Sequence, residues 1–150
     1  MTANIRRATP ADLDAVALLF DAYRRFYDQP GDLPRARAFL AERMQAGESV
    51  VLLAERGGQA VGFTQLYPMF SSVRTSRMWV LNDLYVDAGA RRGGVARGLL
   101  DAAADFARDD GAVRIVLETT VDNAAARALY RDAGWHEETA QWYALPLDGD

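Results

Sequence analysis

Two adjacent glycines, Gly93 and Gly94, stand between a run that reads as a strand and a run that reads as a helix, and this junction constrains the fold more than any other stretch. Ahead of it lies the strand-like Trp79 to Val86 (WVLNDLYV); behind it, a helix-like segment runs from Ala96 to Asp109. Asp110-Gly111 then leads into another strand, Val113 to Thr119 (VRIVLET). A strand–helix–strand connection of this kind makes a right-handed parallel crossover. Upstream, Ser49 to Glu55, Ala60 to Tyr67 and Arg77 to Val86 read as a three-strand meander, with a hairpin turn at Gly57-Gly58 and a loop over residues 68–75. Antiparallel strands followed by a parallel crossover predict an α/β fold with a mixed sheet, of α+β character.

The flanks complete the order. Ile5 to Ala8 reads as a first strand. Thr9 can cap a helix, Pro10 suits its first position and Asp12 suits its positive end. Leu13, Val16, Phe20, Tyr23 and Tyr27 then follow at spacings of one helical face. Residues 28–32 break that helix, and Pro34 to Ala46 forms a second one, closed by Gly47. A helix starts at Asp122-Asn123, ends at Gly134, and is followed by an expected last strand, Gln141 to Leu147. With 150 residues and no repeat, linker or low-complexity segment, one domain over 1–150 is expected.

Composition removes several chemistries. There is no cysteine, so disulfides, thiolate metal sites and a cysteine nucleophile are excluded; His136 is the only histidine, which argues against a multi-histidine metal site. No apolar run approaches the ~20 residues that span a membrane, and the N-terminus turns polar too soon for a signal peptide, so a cytoplasmic location without membrane partners is expected. The net charge of −4 argues against a general nucleic-acid binder.

Against that acidic background, Arg91-Arg92-Gly93-Gly94-Val95-Ala96, with Arg97 beyond, is a local positive cluster. Glycines let the backbone turn and bare its N–H groups, and a helix N-terminus attracts anions. On its own the loop reads equally as an ordinary strand–helix turn. It is neither a Walker loop, since no Gly-Lys-Ser/Thr follows, nor a dinucleotide fingerprint.

The loop, the element order and the segment Ala128 to Trp135 (ALYRDAGW) together resemble the GNAT family of acyl-CoA-dependent N-acetyltransferases, from Ile5 to Leu147. The resemblance implies a GNAT-like fold and acetyl-CoA as cosubstrate, with no metal. It makes Arg91, Arg92, Gly93, Gly94, Val95 and Ala96 the cradle of the coenzyme pyrophosphate, and adds Asn123 and Ala126 as coenzyme contacts. The backbones of Leu84, Tyr85 and Val86 would pair with the pantetheine arm, and an N–H there would face the thioester carbonyl. Tyr130 would protonate the leaving thiolate, a role a phenol with a pKa near ~10 can fill at neutral pH; alone, a tyrosine beside Leu129 could equally be packing.

The acceptor side is more open. Where polyamine-acetylating relatives carry Glu-Asp, this chain has Asn82-Asp83, and an asparagine cannot take a proton. Asp83 is the nearest carboxylate. It is read as binding the cationic substrate or relaying its proton, with capping of a loop as the alternative, and a bulge would be needed to turn it. Glu118 is a second candidate, or a surface ion pair. Tyr27 and Asn82 are assigned to the acceptor. Tyr23, Phe26, Tyr67, Phe70 and Trp142 are available as walls, and Asp28 and Asp32 as attractants for an amine. The implied activity is acetyl transfer to a primary amine (a small amine, a polyamine, an amino acid or a lysine side chain) by direct attack in a ternary complex. A non-catalytic acyl-CoA sensor and a nucleotide or phosphate binder are the alternatives. The family resemblance also implies a homodimer.

Overall fold

A computed structural model describes residues 2–148 and divides them into two compact units, one up to Glu118 and one from Thr119. The first unit holds a five-stranded sheet in the order β1-β2-β3-β4-β5: β1 (Asn4–Arg7), β2 (Val50–Arg56), β3 (Gln59–Ser71), β4 (Ser76–Val86) and β5 (Ile115–Val116). The first four strands are antiparallel and β5 is parallel to β4, which is the mixed sheet expected. Helices α1 (Leu13–Phe26) and α2 (Leu33–Gln45) pack on one face, and α3 (Val95–Asp109) on the other. Covering both faces explains why β2 and the middle of β3 are buried continuously rather than alternately.

Local chemistry starts and stops these elements. Thr9 N–H donates to Asp12 Oδ2 in a capping box that opens a single 3-10 turn ahead of α1. Arg6 holds Asp12 through two 2.8 Å bonds and reaches Glu55 at 2.7 Å, tying β1 to that cap and to β2. The α1/α2 layer buries Val16, Phe20, Ala36 and Leu40 against Val51, Leu53 and Phe63 of the sheet.

The strands depart from expectation in three places. The first half of the predicted loop over 68–75 is strand: β3 runs through Pro68 to Ser71, paired with β4 as far as Ser76, and only residues 72–75 turn. Pro68 is tolerated for a geometric reason. It lies opposite Trp79, whose N–H turns away to Arg114 O, so the prolyl nitrogen needs no partner in β4. It faces the other side, where β2 has already ended at the Val50–Leu66 pair. Second, the strand expected over 113–119 shortens to Ile115–Val116. Its pairing stops opposite Val80, just short of a bulge at Asn82, where a bulged strand bends away from its neighbour. Third, residues 141–147 form no strand among the described residues; Trp142, Tyr143, Leu145 and Leu147 are exposed there, and β-propensity without a partner makes no ladder.

The second unit contains α4 (Ala124–Asp132), none of whose residues is fully buried. Asn123 caps it, its Oδ1 accepting from Ala126 N–H at 3.2 Å, and Gly134 closes it at φ +91°.

Candidate active site

The site in the first unit is organised by β4. Its register slips between the pairs Gln65–Asp83 and Leu66–Leu81, leaving Asn82 as the extra residue. The slip reverses the alternation, so that Asn82 is exposed and Asp83 is only 4% exposed. Asp83 thereby faces the α1/α2 layer with Gln65, which lies two residues along β3 from the core residue Phe63.

Four polar groups surround the Asp83 carboxylate. Gln65 Nε2 donates to Oδ2 at 2.6 Å and Asn82 Nδ2 donates to Oδ1 at 3.1 Å. The Tyr23 hydroxyl, from α1, reaches both Asp83 and the backbone carbonyl of Asn82, the latter at 3.4 Å. Tyr67 lies close enough to feel the same charge. No cationic side chain pairs with Asp83 among the described residues. Burial therefore dominates and raises its pKa above the usual carboxylate range, against the hydrogen bonds from Gln65, Asn82 and Tyr23. Burial, reinforced by Asp83, also raises both phenols, Tyr67 to about 12, so both remain donors at neutral pH. Beyond its last pair with β5 at Val80, β4 continues through residues 81–86 with no strand beside it on that side among the described residues. The backbone groups of Leu84 and Val86 turn to that open edge, since Asp87 N–H turns the other way to Val61 O and the alternation carries back along the strand.

Asp87 and a short 3-10 turn (Ala88–Ala90) lead from β4 to the glycine loop. Arg92 takes φ +67° and Gly94, the N-cap of α3, takes φ +79°, a region where a Cβ is strained. At Gly93 a Cβ would come within 2.7 Å of Arg56 Nη2, the far end of a side chain that can give way. The loop and the first amides of α3, which have no partner within the helix, offer N–H donors to an anion. The arginines do not act alike. Arg91 points back, its Nε donating to Val86 O at 2.9 Å and its guanidinium lying over the rings of Phe26 and Tyr85. It braces the loop against α1. Arg97 pairs with Asp101, and Arg92 is exposed.

Other expected residues are placed as follows. Tyr27, at the end of α1, is exposed, its ring edge-on to Tyr23 and Phe26. Asp28 is exposed; Asp32 is occupied as the cap of α2, accepting from Arg35 N–H. Phe70 lies under Arg77. Glu118 is exposed just past β5. In the second unit, Asn123 is engaged as the α4 cap, Ala126 sits in its first turn, and Tyr130 is half-buried with its ring 6.4 Å from Trp135. His136 is exposed. Gln65 carries the arrangement at Asp83 without having been singled out in the sequence; its signal was a polar side chain inside the apolar run GFTQLY. No group of side chains able to hold a metal occurs among the described residues, and no helix is long and apolar enough to cross a membrane.

Comparison with known proteins gives consistent results. A family model described as Acetyltransferase (GNAT) family matches residues 15–135. The chain is 48% identical over 136 residues, covering 91% of each, to the Bacillus subtilis protein named uncharacterized N-acetyltransferase YhfO. It is 30% identical over 149 residues to an aminoglycoside N(6')-acetyltransferase type 1 of Stenotrophomonas maltophilia, covering 97% of this chain and 94% of the relative. A crystal structure of a probable acetyltransferase superimposes with a TM-score of 0.93 at 41% identity, covering 98% of this chain and 99% of the other.

Proposed function

Because the chain belongs to the GNAT acetyltransferase family, we propose that it transfers acetyl from acetyl-CoA to a primary amine by direct attack within a ternary complex. The observation that carries this reading is β4 itself: one strand presents a buried carboxylate at its bulge, an open backbone edge beyond it, and the anion cradle at its end. The family model spans residues of both compact units, which supports their acting as one catalytic domain.

Acetyl-CoA supplies an acetyl group activated as a thioester. The loop Arg91–Ala96 would hold its pyrophosphate, with Asn123 and Ala126 as further contacts, and the backbones of Leu84, Tyr85 and Val86 would hold its extended arm as an added strand does. A backbone N–H of β4 would donate to the carbonyl oxygen as charge builds on it. Asn82, Asp83 and Tyr27 would receive the acceptor. Asp83 takes a proton from the incoming ammonium, freeing the lone pair that forms the C–N bond. Tyr130 gives a proton to the sulfur as the C–S bond breaks. With no cysteine in the chain, no thiol is available to carry the acetyl group between the two substrates. The aminoglycoside-acetylating relative adds amino sugars to the acceptors expected from sequence. A homodimer is expected, with the exposed Trp142, Tyr143, Leu145 and Leu147 available to bury against a second copy.

The test is thiol release from acetyl-CoA across a panel of polyamines, amino acids, lysine peptides and aminoglycosides. Turnover with at least one amine is expected. Tyr130→Phe should lower kcat by ~100-fold or more while coenzyme A binding stays within about twofold. A second reading, a non-catalytic acyl-CoA sensor, is favoured by Asn82 at the usual carboxylate position. Coenzyme binding without turnover on any amine would select it.

A further inference from the structure

Gln65 is completely buried, and a buried amide normally has all its hydrogen-bonding groups engaged. Here only one half is. Nε2 donates to Asp83 at 2.6 Å, while Oε1 has no partner among the described residues. An orphaned buried acceptor is destabilising, so a leucine or methionine would serve a purely structural position better. The bulge at Asn82 sharpens the point. Gln65 and Asp83 stand directly opposite each other in the register that runs through Phe63–Tyr85, and the ladder slips immediately beyond them, between Gln65 and Leu66, leaving Asn82 as the extra residue beside the pair. The strand is thus deformed right next to the pair of amide and carboxylate, where Asn82 adds its own donor to Asp83.

We infer that Gln65 is a positioning residue for proton transfer at Asp83: its amide N–H holds Oδ2 and keeps the buried carboxylate in its ionised, proton-accepting form, leaving Oδ1 on the side of Asn82 and Tyr23 to receive the proton. This rests on the reading of Asp83 as proton acceptor. The groups facing Asp83 are few. Tyr23 faces it from α1, Tyr67 and Gln65 from β3, and Asn82 from β4; Arg43 of α2 lies near Tyr67. All but Arg43 are neutral, so the donors to the carboxylate set how readily it ionises. The hydrogen bond from Gln65 is shorter than that from Asn82, and it comes after burial as the largest influence. Oxygen in place of nitrogen at this point would put two carboxyl groups in contact, and such a pair shares a proton to much higher pH.

The experiment is the pH profile of kcat/KM with the best amine from the panel, for wild type, Asp83→Asn, Gln65→Glu and Gln65→Met. Asp83→Asn should erase the limb on which activity rises with pH through Asp83; if that limb persists, the reading of Asp83 itself fails. With the limb assigned, Gln65→Glu should raise the ratio of kcat/KM at about pH 9 to that at about pH 6 roughly tenfold over wild type. Gln65→Met should move the limb the same way by less. Gln65→Met retains similar volume and buries no charge, so it keeps the test decisive if the glutamate variant does not fold. Loss of rate in either variant with the limb unmoved would overturn the role of Gln65 and leave Asp83 in place.

Discussion

A buried carboxylate without a cationic partner is a burden on the folded state, and at Asp83 the burden has a sign that can be read. Its pKa is raised in the folded protein by burial. The folded state therefore keeps a proton that the unfolded chain releases, and stability falls as pH rises from the ordinary carboxylate range through the raised value. Above that value the penalty is constant. Asp83→Asn removes the charge and keeps the shape. The variant should gain in thermal midpoint relative to wild type as pH rises from about 4 to about 8, while losing turnover. Melts across that range check it; parallel curves for the two proteins would mean that Asp83 ionises as freely in the fold as out of it. Asp12 works in the opposite direction. Arg6 holds its pKa below the usual range, so its contribution is present at neutral pH and fades as the solution is acidified. At this scale the sequence was partly legible. Asp83 could be named because its neighbour Asn82 is unusual; Gln65 could not, because the pairing of β3 with β4 decides what it faces.

Among the elements, α3 and its loop were legible because glycine and helix termini leave local marks. Gly94 is held at φ +79° by the turn it makes, so Gly94→Ala should cost ~1–2 kcal/mol in denaturant unfolding. It should also weaken coenzyme A binding in calorimetric titration, since the first amides of α3 swing with their cap. The full stability cost with unchanged affinity would show that the loop is a turn and no cradle. The strands were less legible for a physical reason: a strand exists only where something pairs with it. Pro68 reads as a breaker, yet the ladder passes through it because the missing donor faces an unpaired side. Val113 to Thr119 reads as a long strand, but β4 bends away at Asn82 and shortens it. Residues 141–147 have the right side chains and no partner among the described residues.

For the molecule as a whole, the meander and crossover were recoverable from turn residues and apolar runs, because a sheet covered on both faces needs continuous burial and its connections need glycine. The chemistry depends on a departure from that regularity. One extra residue in β4 turns a carboxylate inward, ends the pairing with β5 and frees the edge that the coenzyme reading requires. Pro68 has a consequence of another kind. From Tyr67 to Ser71, β3 has no neighbouring strand among the described residues on the side away from β4, and exposed Phe70 and Val73 lie at the tip of that hairpin. An apolar edge of this sort invites other chains to add themselves in solution. The proline withholds a donor at the centre of that edge, so an incoming strand finds a gap in its ladder. Pro68→Val closes the gap without touching the core. Its concentration-dependent light scattering should exceed that of wild type under mild heating; equal scattering would mean that the side chains of the tip, rather than its backbone, keep the protein dispersed.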